Sequence, residues 1–252
     1  MLNPSLDVAA LVARYRDTRR LVIRDFLTPQ AAEQISNCLE REVNWGLAYL
    51  DGGVPRVIER AGIDAMTQAE RDALDRGIAE QALKGFQYRY RCYPMVDAYL
   101  QRRDPHLALH QVFEFINSPL LLDAVRRITG CPQIVRADAQ ATLYAPGDFL
   151  TLHNDFDAQK GRLVAYVMGF SKNWRPDYGG VLQFLDDAQN IECGFLPRFN
   201  SMMLFSVPQD HAVSCVAPFA PLGRYSVTGW FQDATAVPPQ TKARYGLSLQ
   251  GA

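Results

Sequence analysis

Two residues in the stretch LTLHNDFDAQKGR, Leu150–Arg162, could do chemistry together. The chain has only four histidines, and one of them, His153, stands two places before Asp155. On a strand, positions i and i+2 share a face. Thr151, His153 and Asp155 are therefore expected on one face, with an imidazole beside a carboxylate. A second such stretch puts His211, Val213 and Cys215 together. Two imidazoles and one carboxylate can hold non-haem Fe(II) on one face of its coordination sphere and leave the other positions open. That chemistry needs neutral imidazoles and an ionised carboxylate. Each piece also has a plainer reading. H-x-D by itself arises by chance and is more often structural. His211 alone reads as a capped loop histidine, Arg224 as a surface ion pair, and Tyr144 as a core aromatic with a wet hydroxyl.

What must position these residues is a set of short strands. From about residue 132, eight candidates follow one another: 133–144, 149–155, 162–170, 181–185, 191–196, 201–206, 211–217 and 224–231. Turn signals punctuate them, among them Pro146-Gly147, Asp186-Asp187 and Pro218 to Gly223. Eight such strands predict a sandwich or jelly roll. In the first strand Asp138, Gln140, Thr142 and Tyr144 share a face, and in the eighth Arg224, Ser226, Thr228 and Trp230 do. Several strands thus offer a polar face to an interior cavity.

The first half reads mainly as helices. Residues 5–19 form an amphipathic helix, and the strand LVIRDF follows. Thr28 and Pro29 open a helix that carries Ile35, Leu39 and Val43 on one side. Residues 51–65 read as irregular. Thr67 and Glu70 form a capping box for a helix that stops at Gly85. FQYRYRCY, 86–93, alternates as a strand, and two more helices are expected near 106–116 and 119–129. The whole reads as one domain over 1–252. A helical layer and insert span 1–131, a jelly-roll core 132–231 and a tail 232–252. The fold class is α+β overall, a mostly β core with N-terminal helices packed on it.

Bulk properties narrow the partners. The formal net charge is −1, with 26 basic and 27 acidic residues, so neither nucleic acid nor an anionic membrane is the expected partner. No apolar run reaches the roughly 20 residues of a membrane helix. The five cysteines are scattered and form no C-x-x-C pair, which argues against a disulfide framework and for a reducing cytoplasm.

Taken together, YAPGDFLTLHND, GRLVAYVMGFSKNWRPDYGGVLQF, LPRFNSMMLFSVPQDHAV and GRYSVTGWF resemble the Fe(II)/2-oxoglutarate-dependent dioxygenases, in their prolyl-4-hydroxylase-like branch. The resemblance covers about 133–231, with a fainter echo in LVIRDFLTPQAAEQI. It implies a double-stranded β-helix and an enzyme that hydroxylates an aliphatic C–H bond with O2. It makes His153, Asp155 and His211 the iron ligands and Arg224 the partner of the distal carboxylate of 2-oxoglutarate, a task suited to a forked guanidinium. Ser226 would support that arginine, Tyr144 would stand near the cosubstrate, and Thr228 and Trp230 would line the iron pocket. Fe(II) and 2-oxoglutarate are the implied cofactors, with ascorbate as an auxiliary reductant. The branch implies a prolyl or other amino-acid residue of a protein or peptide as substrate. A free amino acid or small metabolite is the alternative, and a non-catalytic jelly-roll binding module is the rival from another class. Asp155 favours hydroxylation over halogenation, because related halogenases lack the carboxylate ligand. One departure stands out: Gly169 falls where many relatives carry a tyrosine on the distal carboxylate, and it is expected to leave room in the pocket. Residues 45–130 lie outside the resemblance. They are expected to cover the mouth and select substrate, with Tyr88, Arg89, Tyr90 and Arg91 as the candidate contacts. The competing reading is that these aromatics only pack helices on the sheet.

Overall fold

The computed structural model describes residues 1–221 and 223–236. In chain order the first half runs α1 (Val8–Thr18), β1 (Arg20–Arg24), α2 (Pro29–Arg41), β2 (Gly46–Asp51), β3 (Val54–Ile58), α3 (Arg60–Ala65), α4 (Gln68–Ala82), β4 (Tyr88–Tyr93), α5 (Met95–Gln101), α6 (Leu109–Ile116) and α7 (Pro119–Thr129). The second half is β5 (Arg136–Ala137), β6 (Gln140–Tyr144), β7 (Phe149–His153), β8 (Arg162–Gly169), β9 (Leu182–Leu185), β10 (Ile191–Phe195), β11 (Ser201–Ser206), β12 (His211–Val213) and β13 (Arg224–Gln232). The strands form one antiparallel system in the order β1-β11-β8-β13-β6-β4-β7-β12-β9-β10, with β2 joining β4 to β3 and β5 pairing β13. This is a double-stranded β-helix with helices on one side.

Alternation along β8 explains the layering. Val164, Tyr166 and Met168 are buried in a core shared with α1, α2, α6 and α7, through Leu11, Ile35, Val112 and Val125 among others. Ala165 and Val167 point to the opposite face, with Phe184, Phe205 and Val213. One face of the sheet therefore buries helices, and the other encloses a cavity. The helices start where local chemistry lets them. Asp7 accepts from the Ala10 N–H at 3.1 Å, and Thr67 and Glu70 form the expected capping box. Gly130 ends α7 in the left-handed conformation. Thr28 occupies its N-cap position but makes no side-chain capping bond.

Four readings are corrected. The first predicted strand, 133–144, is two, β5 and β6. Residues 51–65 are not irregular: Gly52 and Gly53, both at positive φ, turn the β2–β3 hairpin, and α3 follows. A short α5 lies where no helix was expected. The strand containing His211 ends at Val213, so Cys215 does not share its face and is exposed. Of the expected tail, Gln232 belongs to β13, and 237–252 fall outside the described residues. Among the described residues, no helix is long and apolar enough to cross a membrane.

Candidate active site

The cavity on the open face holds about 440 Å³. His153, Asp155, His211, Arg224, Tyr144, Ser226, Thr228 and Trp230 all line it. β7 supplies His153 and β12 supplies His211, as direct partners in the antiparallel register. The Nε2 of His153 is 3.3 Å from one oxygen of the Asp155 carboxylate, and the Nε2 of His211 is 3.4 Å from the other. Ligand atoms of the three residues lie within 4.8 Å of one another, the one such His/Cys/Asp/Glu group among the described residues.

Strand alternation is not what joins the first two. β7 ends at His153, and Asp155 sits beyond it in the left-handed region, at φ 64°. The β7–β12 register also shifts between His211 and Val213, so that Leu150 opposes Val213 while His153 opposes His211. Leu150 and His153 thus both line the cavity. Thr151 instead donates from its hydroxyl to the Gln87 carbonyl at 2.9 Å. The expected Thr151–His153–Asp155 face does not exist. A bulge and a left-handed turn bring the imidazole and the carboxylate together.

The protonation states suit a divalent metal. The Nδ1 of His153 lies 2.9 Å from the Thr151 carbonyl, and that of His211 lies 2.7 Å from the Gln209 carbonyl. A carbonyl can only accept, so each Nδ1 carries the proton and each Nε2 lone pair faces the cluster. Burial alone would raise the pKa of Asp155, but the adjoining imidazoles of His153 and His211 hold it well below the usual carboxylate range. Three anionic or lone-pair donors therefore converge on one point, which fits an Fe(II) ion.

At the far end of β13, Arg224 is buried, with 4% of its surface exposed. Its guanidinium carbon lies 4.7 Å from the centre of the Tyr144 ring. Its Nε has no hydrogen-bond partner, and among the described residues no carboxylate pairs with it. Burial pulls its pKa down, opposed by Tyr144. A buried cation without a counter-ion is costly, and a dicarboxylate cosubstrate would relieve it. Beside Arg224, the hydroxyls of Ser226 and Thr142 share a 2.7 Å hydrogen bond. Thr142 lines the cavity too. Its place on the Tyr144 face was visible in the alternation, but nothing in the sequence singled it out.

Gly169 does not leave room. A Cβ built there would lie 2.4 Å from the Arg198 carbonyl oxygen and 2.9 Å from the Ser201 hydroxyl. The 198–201 turn fills the space that a side chain would take. The Thr142–Ser226 hydroxyl pair lines that end of the cavity together with Tyr144.

The stretch 86–93 borders the cavity through one face only. Phe86, Tyr88 and Tyr90 line it, and aromatic contacts run from His153 through Phe86, Tyr88 and Tyr90 to Tyr144. Leu50, Gly53 and Pro55 of the β2–β3 hairpin border it as well. Arg89 is turned away. It pairs with the buried Asp148 and, at 2.9 Å, with Asp75, so it braces the scaffold and is no substrate contact. Arg91 likewise does not line the cavity. Much of the remaining insert, including α6 and α7, packs into the helix-side core. Arg162 is another lining residue that the sequence reading did not single out: it opens β8 at a register shift against β13, which alternation cannot foresee.

Comparison with known proteins agrees with this geometry. Residues 139–232 match the sequence profile of the 2OG-Fe(II) oxygenase superfamily. Over 147 residues the chain is 26% identical to prolyl 3-hydroxylase OGFOD1 of Mus musculus, covering 56% of this chain and 26% of that protein. The chain thus spans about a quarter of the length of that relative. Its fold is similar to a Trichoplax adhaerens prolyl hydroxylase solved with a hypoxia-inducible-factor peptide fragment. That similarity has a TM-score of 0.61 and 15% identity, and covers 96% of this chain and 93% of the other. It is also similar to a Pseudomonas putida prolyl-4-hydroxylase, with a TM-score of 0.54 and 17% identity over 90% of this chain and 99% of that one.

Proposed function

We propose, from the match of residues 139–232 to the 2OG-Fe(II) oxygenase superfamily, that this chain is an Fe(II)- and 2-oxoglutarate-dependent dioxygenase that hydroxylates an aliphatic C–H bond. The observation that carries the reading is one cavity holding both a converged His153–Asp155–His211 cluster and a buried Arg224 with no carboxylate partner among the described residues. A binding module has no need of that combination.

The overall conversion is R–H + 2-oxoglutarate + O2 → R–OH + succinate + CO2. Fe(II) and 2-oxoglutarate, when bound, supply the O2-dependent oxidation of the C–H bond. The chain's residues supply position and shelter. His153 and His211 offer Nε2 and Asp155 a carboxylate oxygen to the metal, while the Thr151 and Gln209 carbonyls fix both ring tautomers. Arg224 binds the distal carboxylate of the cosubstrate, with Ser226 and Thr142 beside it. Tyr144, stacked on Tyr90 with ring centres 5.0 Å apart, holds one wall. Phe205 and Trp230 line the same cavity and exclude water.

For the substrate we favour a prolyl or other amino-acid residue of a protein or peptide. The support is that the three similar proteins named above are prolyl hydroxylases. All five cysteines are free thiols, which supports a cytoplasmic setting. A sheet that runs from β1 to β13 supports the reading of the chain as one domain. The test is succinate release from the Fe(II)-loaded protein, followed by mass spectrometry of candidate peptides for the gain of one oxygen atom. No 2-oxoglutarate turnover under any condition would overturn the assignment.

A further inference from the structure

Arg162 is a second enclosed cation in the cavity, and the proposed reaction gives it no task. Its guanidinium lies over Trp230, with the central carbon 3.5 Å from the ring centre. The Trp230 backbone N–H donates to Asp138 at 2.7 Å, which anchors that residue's main chain. One nitrogen of Arg162 donates to the Asp155 carbonyl at 3.2 Å and lies 3.8 Å from its carboxylate. The side chain is only 14% exposed, and its Nε is buried without a hydrogen-bond partner.

An arginine has five N–H donors, and support of Asp155 engages one nitrogen. The neighbouring acids do not account for the rest. The two Asp155 oxygens face the two imidazoles. Asp138 accepts from the Trp230 backbone N–H and, at 3.2 Å, from the Gln232 side chain. It is not within ion-pair range of Arg162 among the described residues. Asp157 pairs with Lys160 at 3.4 Å nearer the surface. Unpaired donors on an enclosed cation are costly unless a ligand meets them. Arg224 and Arg162 stand at opposite ends of β13, since Arg224 opens that strand and Arg162 pairs with Gln232 at its end. A cosubstrate carboxylate on Arg224 therefore does not satisfy Arg162.

We propose that Arg162 binds a carboxylate of the substrate, so that the preferred substrate is a peptide with Asp or Glu beside the residue that is hydroxylated. The geometry sets the spacing. The guanidinium is 3.8 Å from a carboxylate oxygen of the metal cluster, about the length of one residue of extended chain. Phe86 and Tyr88, at the cavity border, receive the apolar part of the peptide. Trp230 holds the guanidinium plane ready for a two-pronged contact.

This inference rests on the dioxygenase reading, and the test separates the two. The full chain with Fe(II), 2-oxoglutarate and O2 is assayed with proline-containing peptides in pairs that differ only by Asp→Asn or Glu→Gln beside the proline. Peptide-free succinate release by the unaltered protein tests the dioxygenase reading alone. The peptide pairs test the inference: the acid member is expected to exceed its amide partner roughly tenfold or more in kcat/KM, mainly through KM. In Arg162→Gln that ratio is expected to fall to about one whatever the absolute rate, and Arg162→Lys to retain part of it. A merely supporting arginine would lower both members of a pair together and leave the ratio unchanged, which overturns the proposal. Equal acid and amide peptides with the unaltered protein, or no stimulation by any acidic peptide, overturn it as well. The unaltered protein decides the matter by itself if Arg162→Gln does not fold.

Discussion

His153 and His211 are direct cross-strand partners, with ring centres 4.1 Å apart, although 57 residues separate them in the chain. A one-residue slip of β12 against β7 would send one of the rings to the other face, so the metal site is as well defined as the register. His153→Ala removes one of three converged ligands without touching the helix-side core. It is expected to lose more metal affinity than the roughly 10–100-fold cost of a second-shell change, and to give no succinate. Titration with Co(II), read by calorimetry and by visible absorption, checks this. Retained stoichiometric binding would count against the assignment.

Arg224→Ala is expected to separate cosubstrate from metal. Loss of a buried, charge-assisted partner costs roughly 2–5 kcal/mol, about 30-fold to several-thousand-fold in affinity. The apparent KM for 2-oxoglutarate should rise by that factor while Co(II) titrates as in the unaltered protein. An unchanged KM would refute the role.

The two histidines and Arg224 were legible from the short strands that carry them, Asp155 from the H-x-D spacing within the family resemblance, and every predicted core strand has a counterpart in the fold. What was not legible depends on departures from regularity. Asp155 reaches the cluster through a left-handed turn at φ 64°, yet H-x-D was read as plain alternation. Arg162 joins the cavity at a register shift. β3 is a solvent-exposed edge strand, VPRVI, whose Pro55 and lack of a buried face hide any period-two signal. The strand alternation of 86–93 was clear, but only burial and partners could decide that Tyr88 and Tyr90 face the cavity while Arg89 is held by Asp75 and Asp148.

Gly169 offers a test of the close approach that replaced the expected room. Its Cβ would overlap the Arg198 carbonyl, and a backbone atom cannot swing aside as a long side chain can. Gly169→Ala is therefore expected to destabilise by about 1–3 kcal/mol, as overpacking does, and to weaken 2-oxoglutarate binding by displacing the strand end beside Ser226. Urea denaturation and the cosubstrate KM check both effects. A neutral or stabilised variant would show that the 198–201 turn relaxes freely.

The brace under the β6–β7 turn makes stability depend on pH. Asp148 is fully buried, caps the Ala145 N–H at 2.8 Å and pairs with Arg89. Burial pushes its carboxyl up to about 6, even though Arg89 and the Ala145 N–H pull it down. The unfolded chain titrates near 3.9, so between about pH 4 and 6 the folded state binds the extra proton. A raised folded pKa contributes stability that is complete below the unfolded pKa and is lost as pH climbs through the folded one. The shift corresponds to roughly 3 kcal/mol lost from this group across that window. Urea midpoints measured from pH 4 to 7 should fall more steeply for the unaltered protein than for Asp148→Asn, which cannot titrate. Arg89→Ala takes away the positive neighbour, so its steep region should move above pH 6, with lower stability at pH 7. Identical slopes for the unaltered protein and Asp148→Asn would show that this carboxyl does not govern acid-range stability.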